Sequence, residues 1–139
     1  MMSDDRLAKM KERDRSMRLA RDEILRRVGA WLIDVGFQRA GAGHYTRMSD
    51  DLVWHIGLQK LSSGRSVRVM CHINNRDECG DSVIGPWSDP YTCPESPNGK
   101  KYSFGWSTRE VDIARCAEEY CRYINEVVIN WFKENVPRK

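Results

Sequence analysis

Two adjacent segments decide the fold: LVWHIGLQKL at residues 52–61 and SVRVMCHIN at residues 66–74. Apolar and polar residues alternate in both, which predicts strands with one buried side and one solvent-facing side. The apolar positions are Leu52, Trp54, Ile56 and Leu58 in the first segment, and Val67, Val69, Cys71 and Ile73 in the second. A turn centred on Ser63 and Gly64 predicts that the two strands form a hairpin.

The turn and the alternation predict one register for this hairpin. The expected buried pairs are Leu58–Val69, Ile56–Cys71 and Trp54–Ile73, and the expected pairs on the other side are Gln59–Arg68 and His55–His72. The solvent-facing side of the sheet therefore carries two imidazoles, an amide and a guanidinium. This polar set does not correspond to a recognisable catalytic arrangement.

One long helix is expected before the strands in the chain, and another after them. Residues 1–35 carry an apolar stripe at helical spacing, and Gly36 follows where a left-handed residue often ends a helix. The turns before Leu19 are so polar that we expect residues 1–18 to fray or to project. A second helix is expected over residues 109–135. Its predicted stripe is Val111, Ala114, Ala117, Cys121, Ile124, Val128 and Trp131, widened by Tyr120, Val127 and Phe132.

Two further strands are expected, at His44–Met48 and at Tyr102–Ser107. Two registers fit the first of these strands. One buries Tyr45 with Arg47, and the other buries Thr46 with Met48. His44 is interpreted as a strand-end residue. Residues 76–101 are rich in Pro and Gly and predict a long irregular connection. The order predicts an α+β fold in one domain, 1–139, an antiparallel sheet of about four strands with both helices on one face.

Composition narrows the functional classes. The chain has 139 residues, 40% of them hydrophobic and 31% charged, with a net charge of +3. It contains no apolar run long enough for a membrane helix and no apolar signal segment at its start, so a bacterial cytoplasmic protein is expected. Five cysteines, an odd number, argue against a secreted disulfide framework. No cofactor is expected; a metal held by Cys79, Cys93 and His72 is a minor hypothesis.

Two alternatives to a protein-binding function stay open. His55 and His72, as cross-strand neighbours, could serve an enzyme or a small-ligand site, but neither Gln59 nor Arg68 is a usual base or metal ligand. The basic N-terminal helix could bind nucleic acid, but its Lys and Arg residues alternate with Asp and Glu, which disfavours that function. The pattern gives no indication of the oligomeric state.

Three short motifs resemble a large bacterial family of small proteins that carries a domain-of-unknown-function label. They are Gly36-Phe37-Gln38-Arg39 after a helix, Tyr45-Thr46-Arg47, and Leu58-Gln59-Lys60 at the end of a strand. The resemblance spans roughly residues 24–75. It implies no catalytic residues, and the association of such genes with toxin and immunity genes implies an immunity protein.

The favoured hypothesis is a non-enzymatic protein-binding module, in particular an immunity protein that occludes a bacterial toxin. An exposed polar sheet face beside an aromatic loop motivates it. The expected partner-binding residues are His55, Gln59, Arg68, His72, Trp87 and Tyr91.

Overall fold

An antiparallel sheet with a long helix before it and another after it makes up the described part of a computed structural model, residues 3–61, 67–76, 82–88 and 102–135. Helix α1 spans Asp4–Asp34. Strands β1 to β5 span Gln38–Gly41, His44–Ser49, Leu52–Lys60, Val67–Asn75 and Val83–Ile84, in that order across the sheet. Helices α2, Glu110–Tyr123, and α3, Ile129–Glu134, are joined by a π-helical turn at Ile124–Val128.

The central hairpin of β3 and β4 has the predicted register. The pairs are Leu58–Val69, Ile56–Cys71, Trp54–Ile73, Gln59–Arg68 and His55–His72. Burial alternates along both strands, and Trp54 is only 4% exposed, with its ring stacked on Phe132 at a centroid distance of 4.8 Å. The prediction of one buried side is confirmed. The side turned away from this core is called the open face below.

Helix α1 packs on the sheet only through its second half. Its buried apolar residues are Ala20, Ile24, Val28 and Leu32. The side chains of residues 3–15 are all exposed, including Leu7 and Met10 at the start of the predicted stripe. Gly36 follows the helix with φ of +101°, the left-handed conformation expected at this position.

Arg47 of β2 connects the end of α1 to the sheet. Its Nη1 donates a hydrogen bond to the Val35 carbonyl at 3.2 Å, and its guanidinium carbon lies 5.2 Å from the centroid of the Trp54 ring. The last turn of α1 has no basic residue of its own, so Arg47 supplies the positive charge that a helix C-terminus favours. Tyr45 is buried against Gly29 of α1. The register that turns Tyr45 and Arg47 inward is therefore the observed one.

The edges of the sheet differ from the prediction. Strand β1 pairs with β2, and β5 pairs with β4 inside the segment expected to be irregular, so the described sheet has five strands and not about four. Both additional strands are short, and neither shows a clear alternation in the sequence.

The prediction of a strand at residues 102–107 is wrong, because this segment pairs with no strand of the described sheet and packs on α2. The Phe104 ring stacks on Tyr120 at 4.3 Å, and the Gly105 carbonyl accepts a hydrogen bond from Arg115 Nη2 at 2.9 Å. The alternating aromatic residues that indicated a strand therefore cover a helix. Helix side chains also take backbone acceptors that a neighbouring strand would need.

The C-terminal helix is continuous over nearly the predicted range, but its buried stripe changes phase. A π-helical turn holds one extra residue, so the stripe after Val128 moves by one position. Phe132 is fully buried as a result, whereas Trp131 is only partly buried. In the first turns the buried residues are Ile113 and Cys116, not the expected Val111 and Ala114.

One cluster of buried side chains joins the helices and the inner side of the sheet. Within the described ranges, no helix combines the length and apolar character that crossing a bilayer requires.

Candidate functional site

Three imidazoles lie in a row across the open face, one on each of β2, β3 and β4. The ring centroids of His55 and His72 are 4.1 Å apart, those of His44 and His55 are 5.1 Å apart, and the planes are nearly parallel. They are all the histidines of the chain. Neighbouring rings cover each other's faces, so this histidine row presents ring edges and nitrogen atoms to its surroundings.

Strand register explains the row. His55 and His72 are direct cross-strand partners. Because Tyr45 turns inward, His44 turns outward, where it pairs with Gly57 and lies diagonally from His55. The sequence pattern did not identify His44 as a site residue, because two registers fit its strand. An inward Tyr45 is the signal that would have placed His44 on the open face.

Hydrogen bonds indicate which nitrogen of neutral His55 carries its proton. His55 Nε2 is 2.8 Å from Asn74 Oδ1, which can only accept, so Nε2 carries the proton. His55 Nδ1 is then an acceptor and receives the N–H of His44 Nε2, at 2.9 Å. A proton added to His55 Nδ1 would oppose that N–H unless His44 gave up its own. The pair can therefore share one added proton, and a second one breaks the contact.

Burial lowers the pKa of His55 and of His72 below the ordinary value of 6.5. For His55 the nearby His44 adds to this effect, while the hydrogen bond to Asn74 opposes it. For His72 the neighbouring imidazoles of His55 and His44 lower the pKa further. His55 and His72 are thus neutral at pH 7, and the neighbouring imidazoles, His44 for His55 and both other histidines for His72, disfavour adding positive charge.

A cation and three apolar side chains adjoin the histidine row at the β5 edge of the sheet. The Arg68 guanidinium carbon lies 5.2 Å from the centroid of the Trp87 ring. Trp87 is 59% exposed, Ile84 is 75% exposed, and Met70, between Arg68 and His72 on β4, is also exposed. Arg68 Nε is buried and makes no hydrogen bond with a described residue. We call Arg68, Met70, Ile84 and Trp87 the edge patch.

Close packing fixes the backbone beneath this patch. Gly85 N donates to the Cys71 carbonyl at 2.9 Å, and Ser88 N donates to the Val69 carbonyl at 3.0 Å. Ser88 Oγ in turn accepts from Val69 N at 2.8 Å. A Cβ atom on Gly85 would lie 2.6 Å from the Trp131 ring and 2.7 Å from Cys71 Sγ. Only glycine lets the segment lie this close to β4 and α3.

The structure brings together most of the residues that the sequence put forward for partner binding. His55, His72, Arg68 and Trp87 lie on the open face or at its edge, and Gln59 is exposed opposite Arg68. Tyr91 lies outside the described residues, as do Cys79 and Cys93 of the metal hypothesis. Met70, Ile84 and His44 were missed. The alternation along residues 66–74 could have found Met70.

The described cysteines are free thiols with little reactivity. Burial raises the pKa of Cys71 and of Cys116 to about 12 and that of Cys121 to about 11. All three are therefore protonated at neutral pH and are poor nucleophiles. Among the residues that the structure describes, no group of three His, Cys, Asp or Glu side chains could hold a metal ion.

A groove of about 760 Å³ lies away from the histidine row, between α1 and the β1–β2 hairpin. Leu25, Ala30 and Ile33 contribute apolar lining. Its cations have partners within the protein: Lys60 pairs with Asp22 at 3.1 Å, Arg26 pairs with Glu23 at 2.6 Å, and Arg39 Nε donates to the Gly41 carbonyl. These lining cations are therefore engaged within the protein and offer no free charge to a ligand.

The motifs behind the family resemblance have structural roles. Gly36 ends α1, Phe37 is buried, and Arg47 caps the helix. Lys60 reaches back to pair with Asp22 of α1. These residues hold α1 against the first strands and supply little of the open face.

Comparison of the chain with protein-family models, curated protein sequences and solved structures finds no match.

Proposed function

We propose that this protein is a non-enzymatic binding module that contacts a protein partner through the open face of its sheet. The most specific form of the proposal is an immunity protein that blocks a bacterial toxin by covering it. The observation that carries the proposal is the edge patch beside the histidine row, with Trp87 exposed and stacked with Arg68.

The chemistry of the edge patch is typical of interface hot spots. Trp and Arg are enriched at such positions because they combine a large apolar area with polar groups that can pair across an interface. Trp87 and Ile84 are mostly exposed here, so a partner could bury much apolar surface. The Arg68 guanidinium, stacked on the Trp87 ring, brings a positive charge to the same partner.

The scaffold beneath the face suits rigid recognition. The face is built on two nine-residue strands joined along their whole length, and its edge is held by Gly85 and Ser88. A side chain on paired strands has fewer accessible positions than one on a free loop, so less entropy is lost on binding. Occlusion of a toxin needs such a surface and no catalytic group.

The alternatives have weaker support in the described residues. An enzyme that uses His55 and His72 would need a pocket around them, whereas their rings stack side by side and the groove lies elsewhere. Nucleic-acid binding by the start of α1 would need a basic surface, but acidic residues interrupt it.

The test uses the product of the reading frame next to this protein's gene as the partner, which the proposal expects to be a toxin. Arg68→Ala with Trp87→Ala is expected to weaken binding about thirtyfold or more in calorimetry, about 2 kcal/mol, and to abolish protection of cells that express the toxin. The matched control is Arg18→Ala with Leu19→Ala, which removes an arginine and an exposed apolar side chain from α1. If the first double variant binds and protects like the unmodified protein, the open face is not the interface.

A further inference from the structure

We propose that the histidine row recognises a carboxylate-rich surface of the protein partner, and that binding takes up protons and tightens as the pH falls from 7.5 to 5.5. This inference rests on the proposed function, because it assigns the open face a partner and adds the chemistry of that partner.

The charged side chains on the strands of the sheet are all positive. Its five strands contain no Asp or Glu, while they carry Arg39, Arg47, Lys60 and Arg68 besides the three histidines. Arg47 is engaged on the inner side, so Arg68, four positions before His72 on β4, is the fixed charge on the open face. Positive charge without a carboxylate among these strands favours an acidic partner.

The groups that face the row are neutral or cationic. They are Thr46 from β2, Gln59 from β3, Asn74 and Arg68 from β4, and Ile84 from β5. No carboxylate from the described strands compensates an added proton. A carboxylate brought by a partner would add an anion that the described strands do not supply, and it would favour the protonated imidazole.

The hydrogen bonds of the histidine row limit how many protons it can take up. The pair of His44 and His55 can take one proton by sharing it across the 2.9 Å contact. His72 stacks 4.1 Å from His55, and its ring makes no hydrogen bond with a described residue. Burial and the neighbouring rings keep the pKa of His72 low in the free protein. Contact with a carboxylate would raise that pKa, so by linkage the partner binds more tightly at lower pH.

The edge patch favours a protein over a nucleic acid as the acidic partner. Met70, Ile84 and Trp87 offer exposed apolar surface directly beside the row. A phosphate backbone would need several fixed cations along its path, whereas Arg68 is the one on this part of the described face.

The experiment measures binding of fluorescently labelled poly-L-aspartate to the full chain by anisotropy at pH 7.5 and 5.5, at one ionic strength. Aspartate, with an ordinary pKa of about 3.9, stays ionised at both values. We expect binding to tighten about tenfold or more at pH 5.5, since uptake of one proton changes the constant by up to tenfold per pH unit. His72→Gln and, separately, His55→Gln should reduce this gain, and Arg68→Ala should weaken binding at both pH values.

The charge-matched control is Arg13→Ala, on the exposed first half of α1, which should bind like the unmodified protein. Equal weakening by Arg13→Ala and Arg68→Ala would overturn the inference, because the polymer would then bind the helix. A gain with pH that both histidine variants keep would also overturn it. Tighter binding of a charge-matched single-stranded oligothymidine than of poly-aspartate, lost in Arg68→Ala, would show that the face binds nucleic acid.

These outcomes are separable from the test of the proposed function. If poly-aspartate does not bind at either pH while Arg68→Ala with Trp87→Ala still abolishes toxin binding, the partner is not acidic and the open face remains the interface. If the double variant binds the toxin normally but poly-aspartate binding depends on His72 and on pH, the row is an anion site unrelated to toxin occlusion.

Discussion

Arg47 joins the end of α1 to the sheet through two contacts of different kinds. Its hydrogen bond to the Val35 carbonyl pairs a charge with an otherwise unsatisfied acceptor at a helix end, and its guanidinium lies over the buried Trp54 ring. Hydrogen bonds that involve a charged group contribute about 1.5 to 3 kcal/mol. These two contacts explain why an arginine stands two positions after Tyr45, on the same inward side of β2.

We expect Arg47→Met, which keeps the aliphatic stem, to lower the free energy of unfolding by about 1 to 2 kcal/mol in urea titrations. Arg47→Lys should lose less, because it keeps the charge near the helix end. Arg18→Ala removes a positive charge from an exposed part of α1 and should change stability by less than about 0.5 kcal/mol. Equal stability of Arg47→Met and the unmodified protein would show that the cap contributes nothing.

The segment that contains β5 lies close to β4 because residue 85 is glycine. Gly85→Ala would place a methyl group 2.6 Å from Trp131 and 2.7 Å from Cys71 Sγ, so the segment must move away from β4. Overpacking of this kind costs about 1 to 3 kcal/mol. We expect that loss in urea titrations, together with faster hydrogen exchange of the Val69 amide, which bonds to Ser88 Oγ.

The matched control is Gly105→Ala, where an added Cβ meets nothing within 4 Å. It should leave both stability and exchange at Val69 nearly unchanged. Gly85→Ala should also weaken partner binding, although Gly85 is not part of the edge patch, because Ile84 and Trp87 would shift with the segment. If Gly85→Ala leaves Val69 exchange unaltered, the close packing does not hold the edge.

How well each element could be predicted follows from how strong its local pattern is. Strands β3 and β4 alternate over nine residues each, which leaves one register compatible with a buried face. Strand β5 has two residues and no period, so its pairing depends on contacts with β4 that the sequence does not display. Tyr102 and Phe104 alternate like a strand because they cover α2, and periodicity alone does not identify the covered element.

The positions of some residues in the candidate site could likewise be predicted from local patterns, and those of others could not. The pairing of His55 with His72 follows from the hairpin register and could be predicted. The place of His44 depends on Tyr45 meeting Gly29 of α1, and the contact of Arg68 with Trp87 depends on the path of a Pro-rich segment. Both are tertiary contacts between segments far apart in the chain, and the local pattern carries no information about them.

The stability of the protein should respond to acid in two separate ranges of pH. Burial lowers the pKa of His55 and of His72 below 6.5, so the unfolded chain takes up protons before the folded one and stability falls as the pH drops below about 6.5. Hydrogen bonds from Arg26 and Arg27 lower the pKa of Glu23 to about 2, from an ordinary 4.5. The contribution of Glu23 is therefore fully present above about 4.5 and is lost only as the pH falls towards 2.

Urea titrations at pH 7.5, 6.5, 5.5 and 4.5 separate these contributions. We expect the free energy of unfolding to fall between pH 6.5 and 5.5 in the unmodified protein, and to fall less in His72→Gln, which removes one of the two partly buried imidazoles from the row. Glu23→Gln should keep the full decrease over that range, because its titration lies at lower pH. Parallel curves for His72→Gln and the unmodified protein would mean that His72 does not contribute to the acid response, and the proton linkage inferred for partner binding would lose its basis in the free protein.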